Sequence, residues 1–361
     1  MAKIVSIGTA VPRFRHNQQD VVSFMSLAYG LNDVEKRKLS FLYNHSGIDY
    51  RYSVIDDYSL PLNLWNFFAT ESNIRFPSLE QRMAVFEKEA LDLSLKAIEQ
   101  CFCSIITNTD KITHLITVSC TGMSAPGLDL QIAESLNLPP TIFRTSVNFM
   151  GCYAAIHALK LSKLICDSDP KANVLIADTE LCTLHFQQQY NADNAASSLL
   201  FADGSAAVLV SGNLSSPQAI SLDGFFSQVS YKGKKDMSWQ LSSKGFLMTL
   251  SGYVPQLVQE DICALVDLSL SHHNICKSEV SHWCVHPGGK KILDAIERKL
   301  DLQPDDLCFS RKVLKQFGNM SSPTILFVLE EMMQRAQAGA NIFGVAFGPG
   351  LTMETFIASK K

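Results

Sequence analysis

Charge is scarce in this 361-residue chain: Asp, Glu, Lys and Arg together make 18% of it, the formal net charge is −4, and neither sign gathers into a long run. A nucleic-acid groove or a patch for an anionic membrane needs such a run, so the expected partners are small molecules or a second copy of the chain. No apolar stretch approaches the length of a membrane span. The opening MAKIVSIGTAVP has too short an apolar part, and no cleavage pattern, for a secretory signal. These absences point to a cytoplasmic location. Ten cysteines are present without paired spacing, and Cys101-Phe102-Cys103 has the wrong gap for a zinc knuckle. In a reducing compartment nearly all of them are expected as small buried thiols. There is no phosphate-cradling glycine loop and no metal-ligand constellation, so no metal or cofactor is expected.

Hydrophobic residues make 47% of the sequence, enough for a large core or two fused ones. Val- and Ile-rich runs alternate with helical patterns from end to end, which predicts an α/β chain with buried strands under helices. The runs are Lys3 to Ile7, Thr113 to Ser119, Asn173 to Ala177, Ser205 to Val210, Ala219 to Phe225, Val280 to Val285, Asn341 to Ala346 and Met353 to Ala358. Ser78 and Gln81 form a capping box for a helix from Leu79 to Cys103. Asp236 to Leu250, broken at Ser242 to Gly245, reads as a hairpin. A weak repeat relates Thr113–Val118 to Ser281–Val285, and the loop into the helix of Ala154 to Cys166 to the loop into that of Thr324 to Gln337. It predicts two related halves, residues 1–215 and 216–361, with functional groups on loops at a shared end.

Three residues on such loops suit one chemistry. Cys152 follows Gly151 at the start of an Ala-rich helix, where the positive end of the helix dipole favours a thiolate; the same position also suits a small core cysteine. His286 ends an apolar strand and precedes Pro287-Gly288-Gly289, so its ring stands where ligand crevices form. A strand-end His is otherwise a structural hydrogen-bonder. Asn319 sits between Gly318 and Met320-Ser321-Ser322-Pro323, before a helix that Ser321 or Ser322 caps and Pro323 begins. Gly-Asn is equally a plain turn, but a neutral amide beside His286 can hold a developing oxyanion. Near the end, Phe347-Gly348-Pro349-Gly350 demands an unusual rigid turn, expected to shape the cavity floor near Cys152.

Asn148-Phe149-Met150-Gly151-Cys152-Tyr153-Ala154-Ala155, His286-Pro287-Gly288-Gly289, Gly318-Asn319-Met320-Ser321-Ser322-Pro323 and Phe347-Gly348-Pro349-Gly350 occur in the order that resembles the type III polyketide synthases, the chalcone synthase-like family. The likeness runs from Ile4 through Thr355. It implies a thiolase-like fold of two pseudo-symmetric halves in five αβαβα layers, a homodimer, and Cys152, His286 and Asn319 as the catalytic centre. It also implies a reaction that takes acyl-CoA and malonyl-CoA, condenses them repeatedly and cyclises the chain to a pyrone or a phenolic ring.

By the same resemblance Phe201 stands at the junction of tunnel and cavity, and Met248 takes the place of a second gating Phe. Cys120 is expected to line the cavity, while Cys182 and His185 fall where plant members carry small cavity-shaping hydroxyl residues. Arg51 matches, loosely, a basic stretch at a surface tunnel for coenzyme A. Starter identity and any carrier-protein donor are not visible. A single-condensation ketoacyl synthase III shares the Cys, His and Asn centre but fits the Pro-Gly-Gly and Phe-Gly-Pro-Gly turns less well. A papain-like hydrolase shares only the chain order of the three residues.

Overall fold

The computed structural model describes residues 1–70, 73–74, 76–103, 105, 109–187 and 189–361. Its strands are β1 (Lys3–Ala10), β2 (Phe14–Asn17), β3 (Tyr50–Ser53), β4 (Ala69–Thr70), β5 (Asn73–Ile74), β6 (His114–Ser119), β7 (Phe143–Asn148), β8 (Asn173–Leu181), β9 (Asp203–Ser211), β10 (Ile220–Val229), β11 (Met237–Ser242), β12 (Gly245–Leu250), β13 (Val280–Val285), β14 (Asn341–Gly348) and β15 (Thr352–Ser359). The helices are α1 (Gln18–Ala28), α2 (Asp33–Asn44), α3 (Leu79–Phe102), α4 (Leu128–Ser135), α5 (Ala154–Ser168), α6 (Ala192–Leu200), α7 (Val254–His272), α8 (Lys290–Lys299), α9 (Cys308–Phe317) and α10 (Pro323–Arg335).

One nine-stranded sheet runs in the order β13-β14-β15-β10-β1-β9-β8-β6-β7. Its two ends have the same plan. Outward from the seam, β1, β9, β8 and β6 pair antiparallel, antiparallel and parallel, and so do β10, β15, β14 and β13. At the seam β1 meets β10 through Lys3 opposite Ser221 and Ile4 opposite Ile220.

Side-chain alternation distributes these strands among helical layers. Ile4, Val174, Ile176, Val208 and Val210 share a core with α5 and α10, and so do Ile342, Ala346, Phe356 and Ala358 from the other half. The intervening residues face outward: Val5, Leu175, Ala177 and Leu209 pack with Ala97 and Ile98 of α3, while Phe343, Val345, Met353 and Ile357 pack with Val258 and Ile262 of α7. Hence the five layers of a thiolase-like fold, with α5 and α10 sandwiched in the middle. Both faces of β8 are covered, which is why residues 174–177 read as a continuous apolar run.

Several expectations need adjustment. The edge strand β7, FRTSVN, has one buried residue, Val147, and so carries no apolar run to find it by. The Ser78 and Gln81 box at α3 is present in both directions, at 3.3 and 2.9 Å. At α10 Pro323 does open the helix, but neither serine caps it: Ser322 is helical and its hydroxyl goes to Asp178, while Thr324 Oγ1 accepts from Met320 N at 2.8 Å. All ten cysteines are free, yet only six are buried; Cys103, Cys276 and Cys308 are exposed.

Candidate active site

The loop before α5 turns sharply because Phe149 and Gly151 both take positive φ, at 62° and 79°. The turn leaves Cys152 at the mouth of α5, with its sulfur in an enclosed cavity. That backbone is pressed against the loop after β14. A Cβ on Gly151 would run into the Pro349 ring, and one on Gly348 would stand 2.5 Å from the Tyr153 ring and 3.4 Å from Cys152 N. The two glycines permit a close approach that no side chain would allow. Of the Phe-Gly-Pro-Gly turn, Phe347 and Pro349 line the cavity; Gly348 packs behind it and Gly350 supplies a φ of 74°.

His286 and Asn319 reach the same cavity from the other half. The His286 backbone N–H is held by Val345 O at 2.9 Å, which continues the β13 to β14 pairing one residue past the strand. Its ring is 1% exposed, and neither nitrogen has a partner among the described residues. Asn319 is fixed more tightly. Its backbone N donates to Leu200 O and its carbonyl accepts from Ala202 N, both at 2.9 Å, and it bridges in parallel with Phe201. Its Oδ1 accepts from Ser321 N at 2.8 Å and from Thr324 Oγ1 at 3.4 Å. An N–H can only donate, so this settles which end of the amide is oxygen and leaves Nδ2, at 3.4 Å from Gly288 O, to present hydrogen to the cavity.

Burial sets the resting charges. It pushes the Cys152 thiol up to about 12, against a 3.6 Å contact with the Ser321 hydroxyl, and pulls His286 down to about 3. Each group alone is neutral.

Behind this wall lies a group of acids that sequence reasoning missed. Glu180 accepts from Cys120 N at 2.9 Å and from Thr121 Oγ1 at 2.6 Å, and Ser322 Oγ joins it at 3.2 Å to Asp178 at 2.6 Å. Burial raises Glu180 to about 7 and lifts Asp178 well above the ordinary carboxylate range, with Glu180 adding repulsion. Their alternation on β8, at positions 178 and 180, was the available signal.

The remaining residues fall into three settings. Cys120 lines the cavity, and its sulfur accepts from Gly151 N at 2.9 Å. Phe201, Met248 and Cys182 line both this cavity and a neighbouring chamber. Opposite Met248 on the hairpin stands Trp239, also missed, whose indole donates to Cys120 O at 2.7 Å and so clamps the hairpin over the cavity. His185 is not beside Cys152: it lines the neighbouring chamber with both nitrogens engaged, to Thr121 O at 2.7 Å and from Phe246 N at 3.0 Å, stacked on Phe246. Arg51 corrects the expectation of a surface tunnel residue. It is 3% exposed, and its Nη1 donates to Ser198 O and Phe201 O, holding the end of α6.

Comparison with known proteins matches this architecture throughout its length. Residues 1–214 match the N-terminal domain of the chalcone and stilbene synthases and residues 226–360 the C-terminal domain. An alpha-pyrone synthesis polyketide synthase-like protein of Mycobacterium tuberculosis is 28% identical over 98% of this chain and 90% of its own. Type III polyketide synthase C of Arabidopsis thaliana is 27% identical over 99% and 94%. Among solved structures, PKS-I from the brown alga Ectocarpus siliculosus superposes with a TM-score of 0.90 at 25% identity, covering 100% of this chain and 98% of that one. The C-terminal type III domain of a Dictyostelium type I/III hybrid gives 0.92 at 25% identity, with 99% of both chains covered. With domain matches that span both halves and a shared thiolase-like fold, the chain belongs to the chalcone and stilbene synthase family of type III polyketide synthases, acyltransferases that use malonyl-CoA.

Proposed function

We propose that Cys152, His286 and Asn319 are the catalytic centre of this synthase. The observation that carries the reading is that three loops, from both halves, bring a thiol, an imidazole with neither nitrogen engaged among the described residues, and an oriented amide to one cavity. Cys152 gives its proton to His286, and the thiolate attacks the carbonyl carbon of an acyl-CoA. The C–S bond to coenzyme A breaks, and that sulfur takes the proton from the imidazolium. In malonyl-CoA the bond to the carboxylate then breaks, carbon dioxide leaves, and the electron pair spreads onto the thioester oxygen. Hydrogen bonds from His286 and Asn319 Nδ2 hold that enolate oxygen. Its carbon attacks the acyl-Cys152 carbonyl, a C–C bond forms, and the Cys152 thiolate departs. These donors serve the reaction without metal or cofactor.

Phe201, Met248, Cys120, Cys182, Phe347 and Pro349 shape the growing chain in this reading, and a pyrone or phenolic ring is the proposed product. The name of the Mycobacterium tuberculosis relative, an alpha-pyrone synthesis protein, supports the first form. Two domains, 1–215 and 216–361, in a homodimer are proposed as well. In support, β7 pairs on one side only and leaves Phe143 68% exposed, an edge of the kind that pairing covers. A cytoplasmic location fits substrates that are coenzyme A esters; among the described residues no helix is long and apolar enough to cross a membrane. The experiment is incubation with a panel of acyl-CoA starters and labelled malonyl-CoA, followed by mass spectrometry. Ring products with released coenzyme A are expected. A single condensation would favour the ketoacyl synthase III reading, and absence of malonyl decarboxylation would remove the proposal.

A further inference from the structure

Arg51 is left without a task by the chemistry around Cys152. Its guanidinium is buried, and among the described residues it forms no salt bridge. Nη1 is used on the Ser198 and Phe201 carbonyls, but Nη2 is buried without a hydrogen-bond partner. A buried cation with an unpartnered Nη2 is costly, and the cost is relieved when an anion binds there. The carboxylate that senses it, Asp203, spends its oxygens on Val54 N, Thr183 N and Thr183 Oγ1. The Tyr43 hydroxyl donates to Met25 Sδ and turns its oxygen towards the guanidinium; it is a neutral neighbour and leaves the Arg51 charge unbalanced.

The chamber that Arg51 lines also has few other donors to spare. The Tyr58 hydroxyl donates to Thr183 O, and Ser197 to Asn194 O. Gln187 donates to His185 O, and both His185 nitrogens are taken. Cys182, Phe201, Trp239 and Met248 form a common wall between this chamber and the Cys152 cavity. An acyl chain on Cys152 long enough to extend beyond that wall would meet Arg51.

We propose that this second chamber is a carboxylate-binding subsite in which Arg51 receives the distal carboxylate of the acyl starter. The inference rests on Cys152 as the acyl-carrying residue. A guanidinium edge suits a planar carboxylate, and the surrounding Phe201, Trp239 and Met248 exclude the water that would screen the pair.

The test is single-turnover acylation of Cys152, without malonyl-CoA, followed by intact-protein mass spectrometry. Glutaryl-, adipyl- and pimelyl-CoA are each compared with the branched neutral acyl-CoA of the same shape. The expected result is that one dicarboxylyl ester loads about tenfold faster than its neutral partner, as a charge-assisted hydrogen bond allows. Arg51→Gln, which keeps a donor but removes the charge, brings the ratio to about one. Arg51 also holds α6, so Ser198→Glu is the second variant: it gives the guanidinium an internal carboxylate, and it too abolishes the preference. A wild-type ratio of one or less across the series overturns the subsite, as does a preference that survives in either folded variant. Loading of the neutral esters in that case leaves the Cys152 reading standing. No loading from any ester counts against Cys152 instead.

Discussion

Asn319 shows how much of an active site is orientation. Its amide oxygen is occupied by Ser321 N and Thr324 Oγ1, so Nδ2, held only by a long 3.4 Å contact to Gly288 O, is the end left for a ligand in the cavity. Asn319→Ala removes one of two proposed enolate donors, and malonyl-CoA decarboxylation, followed by labelled carbon dioxide release, is expected to fall by roughly 10²–10³. A rate within threefold of wild type would take Asn319 out of that role. Glu180 makes a second residue-scale prediction. Its carboxyl is raised from 4.5 to about 7 by burial, so the folded state holds its proton longer than the unfolded one. The stabilisation this gives is fully present below about pH 4.5 and is lost as pH rises through about 7. Glu180→Gln keeps an acceptor for Cys120 N and Thr121 Oγ1 but cannot ionise. Urea midpoints should therefore show the variant gaining on wild type from pH 4.5 to 8, by about 3 kcal/mol at the top. A constant difference across that range would mean that Glu180 ionises as freely in the fold as in the unfolded chain.

At the scale of elements, the site depends on loops that touch without side chains between them. Gly348 meets Tyr153 and the Cys152 backbone, so Gly348→Ala forces the β14 exit away from the nucleophile loop. A cost of about 1–3 kcal/mol in denaturant unfolding is expected, with slower acyl loading, because the displaced backbone is the one that carries the sulfur. Unchanged stability and loading would show that the loops have slack. The β11 to β12 hairpin is the other such element: Trp239 fastens it to Cys120 O, and Met248 opposite lies on the wall shared by the two chambers. Met248→Phe replaces a flexible side chain with a rigid ring, and the starter profile should narrow towards small acyl groups. An identical profile would remove Met248 from the gate.

At the scale of the molecule, the internal repeat is what made the fold legible. β14 and the first half of β8, residues 174–177, are buried on both faces and read as apolar runs, and the loops feeding α5 and α10 carry the two glycine-flanked motifs. The exposed edge β7 has no such pattern, so neither it nor the surface it offers could be read. Cys152, His286 and Asn319 stood out because glycines and strand ends mark them. Asp178 and Trp239 did not, since a polar residue in a strand and an aromatic in a hairpin are unremarkable until the neighbours are known. Arg51 was misplaced for the opposite reason: an arginine in sequence suggests surface, and only the fold shows carbonyls from α6 folded around it.

The measurement that bears most directly on this account separates acyl loading from decarboxylation in two variants at one position. Purified Cys152→Ala and Cys152→Gln are each given starter CoA ester and carboxyl-labelled malonyl-CoA, with protein acylation read by intact mass and carbon dioxide by release of label. Loading should vanish in both, and the glutamine variant, whose amide imitates the acylated sulfur, should still decarboxylate malonyl-CoA at His286 and Asn319. An alanine variant that carries an acyl group and extends it normally would contradict the assignment of Cys152 as the residue that holds the chain.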